Sequence, residues 1–333
     1  MDFDIALVWA LILLFAVFAY VVMDGFDLGI GILFPGIDPG EQRDTAINTV
    51  APVWDGNETW LVLGGGGLMA AFPLAFGIIM TAVYPLVIAM VLALVFRGVA
   101  FEARWRDPLH RRWWDAAFQG GSTVAALAQG IILGALVQGI AVDGREYAGG
   151  WWDWLTPFSL LTGVSVVVGY ALLGATWLVL KTEGELQARA RRHASRLGVA
   201  MLAGIVAVSL ATLGLDYDYH HRWTTMPAVL VTAQVPLLTA VMGYAFWRSL
   251  RRGRELAPFL LTLALFALTF VGLGISVFPW VVPQAVTIAD AASPDSSLVF
   301  MLVGAVVLIP VILLYTGWSY WVFRGKVGDE GYH

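Results

Sequence analysis

The chain has 333 residues, 59% of them apolar and only 13% charged, with a mean hydropathy of +0.78. Such a composition excludes a water-soluble globular domain. The absence of cysteine excludes disulfides, thiolate metal sites, iron–sulfur clusters and haem attachment through a cysteine pair, and a net charge of −5 excludes a basic surface for nucleic acid.

About 20 apolar residues in a helix cross the ~30 Å hydrocarbon core of a bilayer. On that scale the sequence predicts an all-α membrane protein of about nine transmembrane helices, at 5–34, 47–70, 74–101, 116–142, 157–180, 198–215, 224–247, 257–281 and 298–323. No linker or low-complexity tract divides them, so residues 1–333 are expected to form a single transmembrane helical-bundle domain. The first span follows an acidic start, and its apolar run from Ile5 to Met23 is too long for a signal-peptide core, which predicts a retained helix. It ends in Asp24-Gly25-Phe26-Asp27-Leu28-Gly29, with Asp24 and Asp27 spaced i,i+3 on one helix face. The second span repeats the spacing with Asp55 and Glu58. It continues into Gly64-Gly65-Gly66-Gly67, where no Gly-Lys-Ser/Thr follows to complete a phosphate cradle and close helix contact is expected. A short turn near Phe72-Pro73 leads to the third span, which carries Arg97 near its end and Glu102 at the membrane edge. Tryptophan-rich patches at 151–154, 220–223 and 318–321 fall at span ends, where amphipathic rings anchor in the headgroup layer.

Lys and Arg in the connections decide the expected orientation. Arg43, the group Arg104 to Arg112, the group Lys181 to Arg196, the group Arg248 to Arg254, and Arg324 with Lys326 all fall on one side; only Arg145 and Arg222 fall on the other. The positive-inside rule then predicts a periplasmic N-terminus and a cytoplasmic C-terminus. With that orientation Asp24, Asp27, Asp55, Glu58, Arg97 and Glu102 all lie toward the cytoplasm. An ionisable group at mid-bilayer costs about 2.5–3.5 kcal/mol on insertion scales, so six of them on three consecutive spans exceed what helix packing or snorkelling concentrates. Protonatable groups open to one face and ending inside a bundle have the composition of a proton entry path.

The five histidines, His110, His193, His220, His221 and His333, are expected in connections or the tail, and the methionines within spans are read as core. No metal or haem is therefore expected on this chain's own side chains.

Several motifs together resemble a known family. Asp24 to Gly29, Ala51 to Trp60, Phe96-Arg97, Thr156-Pro157-Phe158 with Gly163, Gly174-Ala175-Thr176 with Lys181 to Leu186, and Ile309-Pro310 to Tyr315-Thr316 are similar to subunit II of cytochrome bd-type quinol oxidase. The resemblance runs from the first span to the last. It implies a haem-free subunit in the bacterial inner membrane, paired with a subunit I that carries three haems, two b-type and one d-type or b-type. The complex would transfer electrons from quinol to O2 to give quinone and water. It further implies that Asp24, Asp27 and Asp55 belong to a cytoplasmic proton route toward the oxygen-reducing haem, with Arg97 matching a basic residue near it. A small accessory subunit and membrane lipids are further possible partners. The short external connection from Asp216 to Trp223 resembles the cyanide-insensitive branch of the family. A proton-coupled transporter and a purely structural membrane scaffold are the competing classes. The transporter predicts broken helices in corresponding halves, and the scaffold predicts that Asp55→Asn leaves turnover intact.

Overall fold

The computed structural model describes residues 4–215 and 219–327. Asp216 and His333 therefore lie outside the described residues. The chain is a mostly helical bundle in which successive long helices run antiparallel through short connections. In order, the helices are α1 (Ile5–Leu33), α2 (Glu41–Asn48), α3 (Trp54–Ala71), α4 (Pro73–Arg106), α5 (Arg111–Gln138), α6 (Pro157–Lys181), α7 (Gly184–Leu213), α8 (Tyr219–Thr224), α9 (Val229–Thr232), α10 (Gln234–Arg251), α11 (Leu256–Val277), α12 (Ile288–Ala291) and α13 (Asp295–Val322). Two small antiparallel hairpins, β1 (Val142–Asp143) with β2 (Glu146–Tyr147) and β3 (Trp280–Val282) with β4 (Val286–Thr287), close the ends opposite the arginine-rich face.

Among the described residues eight helices are long and apolar enough to cross a bilayer. The remaining expected span, the second, at 47–70, takes the form of α3. That helix starts only at Trp54, and its 18 residues, which include Asp55, Asn57, Glu58 and four glycines, fall short of the others in apolarity. Residues ahead of it form the separate polar helix α2, because Glu41-Gln42-Arg43-Asp44 has no apolar face to bury in lipid. The sixth span is longer than expected. α7 begins at Gly184 rather than 198, and its polar first turns put His193 on a helix instead of in a connection.

Local chemistry sets the boundaries. Asp4 caps α1 by accepting from the Leu7 N–H at 3.0 Å. Thr156 and Ser159 form a reciprocal capping box at the start of α6, where Pro157 occupies the first helical position. α1 is the central helix, packed against α3, α5 and α6. It approaches α6 so closely that a Cβ on Gly29 would overlap the Tyr170 carbonyl, and one on Gly174 would come within 2.5 Å of the Gly29 backbone. The four-glycine run behaves in two ways: Gly64 and Gly67 face Val17 and Leu13 of α1, whereas Gly65 and Gly66 face open space.

Candidate proton-handling site

The late part of α1, the first turns of α3 and the last third of α4 meet at the arginine-rich end of the bundle. Arg97 reaches this junction because α5 lies tightly on α4: a Cβ at Gly121 would meet the Ala93 carbonyl oxygen at 2.5 Å and the Arg97 Cβ at 3.2 Å. The guanidinium is fully enclosed. It stands over the rings of Trp54 and Phe101, at 5.8 and 5.6 Å from their centroids, and those rings stack on each other at 4.8 Å. Aromatic faces attract a cation that has left water.

Three carboxylates surround this one cation. Arg97 Nη1 lies 2.9 Å from Asp24 Oδ1 and 3.6 Å from Glu58 Oε2, and Nη2 lies 3.8 Å from Asp27 Oδ2. Asp24 and Asp27 are as fully buried as Arg97, whereas the Glu58 side chain is 27% exposed and forms the outward edge of the cluster. Asp24, Asp27 Oδ1 and the three Arg97 nitrogens make no aligned hydrogen bond among the described residues. Charge attraction therefore carries the pairing, and hydrogen-bonding capacity is left over.

Neutral polar groups extend the cluster. Asn57 donates through Nδ2 to Asp27 Oδ2 at 2.8 Å, and Tyr320 of α13 donates its hydroxyl to Asn57 Oδ1 at 2.8 Å. One turn before Asp24, the Tyr20 hydroxyl lies against the aspartate and accepts from Gln129 Nε2 at 2.8 Å. Gln129 Oε1 in turn accepts the Tyr170 hydroxyl at 2.7 Å. Polar groups thus line the interior from Glu58, Arg97 and Asp24 to the hydrogen-bonded set of Tyr20, Gln129 and Tyr170, and they span α3 to α6.

Four of the six residues singled out in the sequence, Asp24, Asp27, Glu58 and Arg97, come together here. The other two do not. Asp55 is exposed on the outer side of α3, because at 100° per residue it stands about 200° around the helix from the inward-facing Asn57. Glu102 is on the surface, 3.6 Å from Arg106 one turn later. Tyr20, Asn57, Gln129, Tyr170 and Tyr320 were not singled out, although Asn57 sits inside the acidic motif and Tyr20 stands i−4 from Asp24.

Nearer the end of the bundle a second ionic network locks the helices that frame the site. Buried Arg104 of α4 bridges Asp115 at 2.5 Å and Asp44 at 2.6 Å. Arg43 donates to Asp115 at 2.9 Å and to the Phe34 and Ile37 carbonyls, and Arg111 pairs with Asp44. Outside the membrane-spanning helices, Arg189 holds Asp38 through two hydrogen bonds of 2.6 Å, which lower the Asp38 pKa below the usual carboxylate range. Among the described residues no group of three or more histidines and acids converges as a metal site.

Residues 5–323 match the family model described as cytochrome bd terminal oxidase subunit II. The cytochrome bd-I ubiquinol oxidase subunit 2 of Escherichia coli K12 is 32% identical, over 97% of this chain and 95% of its own length. The cytochrome bd ubiquinol oxidase subunit 2 of Bacillus subtilis 168 is 30% identical, over 97% and 96%. In fold, the bd oxidase of Geobacillus thermodenitrificans superposes with a TM-score of 0.73 at 16% identity, covering 94% of this chain and 98% of that one.

Proposed function

The chain belongs to the family of cytochrome bd terminal oxidase subunit II, and from that premise we propose that it is the haem-free subunit that admits protons to a quinol-oxidising, O2-reducing complex. Subunit I is its partner and carries the three haems, while this chain braces that partner in the bacterial inner membrane. The reading is supported by the four described histidines, His110, His193, His220 and His221, none of which stands at mid-bundle, where an embedded haem usually takes its axial imidazole.

The single observation that carries the reading is three carboxylates gathered around one buried guanidinium, with one of the three reaching outward. A surplus of acids over cations in a low-dielectric interior is relieved by bound protons, so the cluster stores and exchanges them. Glu58 is the entry, because it alone is partly exposed. Arg97 holds Asp24 and Asp27 behind it, and Asn57 with Tyr320 fixes the Asp27 carboxylate. The unused hydrogen-bonding capacity of Asp24 and Arg97 suits transfer along water. The arginine-rich end faces the cytoplasm by the positive-inside rule, so protons are drawn from inside. With quinol protons released outside, turnover builds a membrane potential without a pump.

Asp55 fits the same account as a contact residue. It is exposed beside Trp54, which packs near Gly98 and on Phe101 of α4, and the neighbouring α4 turn exposes Phe96 and Val99. An acid on such an apolar face is costly in lipid, so subunit I covers it and receives the proton there.

The experiment is turnover of the assembled complex with Glu58→Gln and Asp24→Asn. Quinol-driven oxygen consumption is expected to fall by an order of magnitude or more, with the haem absorbance spectrum unchanged. Full turnover in both variants, the outcome of a purely structural role, would overturn the proposal. The acids are confined to α1, α3 and α4 rather than paired between two halves, which disfavours the transporter reading.

A further inference from the structure

Several arginines near the cluster end of the bundle are answered by an anion or a carbonyl, whereas Arg112, Arg192, Arg196, Arg254 and three at the end of α10 are not, among the described residues. Arg97, Arg104, Arg111, Arg43 and Arg189 meet carboxylates, and Arg191 donates to the Leu250, Gly253 and Arg254 carbonyls. The last turns of α10 gather three of the unanswered arginines around one recess. Arg248, Arg251 and Arg252 have no side-chain hydrogen bond or ion pair among the described residues, and together with Tyr244 and Trp247 they line a recess of about 380 Å³ on the surface.

The recess continues an exposed stripe down the same helix. Leu237, Val241, Tyr244 and Arg248 follow at i, i+4, i+7 and i+11, all solvent- or lipid-facing, and Arg251 with Arg252 completes the face. At 1.5 Å per residue, Leu237 to Arg248 spans about 16 Å, close to the ~15 Å of one hydrocarbon leaflet. The stripe thus changes from apolar to aromatic to cationic over the depth of one leaflet, in the order in which a phospholipid changes from acyl chain to glycerol to phosphate.

From this juxtaposition we propose that the C-terminal half of α10 is a binding site for an anionic phospholipid. Its phosphate sits among Arg248, Arg251 and Arg252, and an acyl chain lies along Val241 and Leu237. Guanidinium groups bind phosphate through paired N–H donors, and basic recesses at the cytoplasmic ends of membrane helices select anionic headgroups. The inference does not depend on the proton path, since α10 contributes nothing to the acid cluster.

The test uses the assembled complex, with haem absorbance as the check on assembly. Native mass spectrometry measures retention of dioleoyl phosphatidylglycerol against dioleoyl phosphatidylcholine, with and without excess inorganic phosphate. The complex is expected to prefer phosphatidylglycerol. Combined Arg248→Gln, Arg251→Gln and Arg252→Gln should weaken that preference about a hundredfold, at about fivefold per charge. Combined Arg106→Gln and Arg112→Gln, which removes two charges from another loop at the same end, should change it little. Equal retention of the two lipids, undiminished preference in the triple variant, or displacement of the lipid by inorganic phosphate would each overturn the proposal.

Discussion

Arg97 is the residue on which the interior charges depend. Removing one partner of a buried ionic group leaves the rest uncompensated, at a cost of about 3–5 kcal/mol. Arg97→Leu, which strands Asp24 and Asp27, is therefore expected to lower the yield of assembled complex and its thermal midpoint sharply, and Arg97→Lys is expected to recover part of both. At the surface, Asp38 gives a pH signature. Its carboxyl pKa is depressed by Arg189 in the folded chain, so its stabilisation is fully present above the unfolded value near pH 4 and is lost as pH falls through the lower folded value. Asp38→Asn should then melt below the parent at pH 7, and the two should converge under strongly acid conditions. Ionisable residues were legible in the sequence because each interrupts an apolar run. The neutral members of the polar line were not, because a tyrosine or glutamine in an apolar helix gives no sign of whether its hydroxyl or amide meets a buried acid. Asp55 shows the complementary limit: i,i+3 spacing places two residues near one face but does not say which face turns inward.

Helices were legible wherever apolar length alone defined them, as in α1, α6 and α13, whose ends fall within a few residues of those expected. They were less legible where polar residues continue a helix beyond the lipid, as at the start of α7, or shorten it, as in α3. At this scale the closest contact, between α1 and α6, makes a direct prediction. Gly29→Ala drives a methyl group into the Tyr170 backbone, and overpacking of this kind costs about 1–3 kcal/mol, visible as a lower thermal midpoint of the complex. Gly65→Ala points into open space and should leave the midpoint within experimental error. The contrast separates helix packing from a general intolerance of substitution in glycine-rich helices.

Across the whole molecule, the acid cluster, the Arg104 network and the unpaired arginines of α10 all lie at one end of the bundle, and the two hairpins lie at the other. That polarity was legible from Lys and Arg counts alone, because charge segregation needs no knowledge of packing. In the proposed function that polarity, read with the positive-inside rule, makes the cytoplasm the compartment that feeds the site. The measurement that bears most directly on this claim is proton uptake by the assembled complex when its reduced form meets O2, followed with a pH indicator confined to the cytoplasmic side. Glu58→Gln is predicted to slow uptake there by about a hundredfold while the haem spectrum of the reduced complex stays that of the parent. Uptake at the parental rate in the variant, or uptake from the opposite side, would contradict the account.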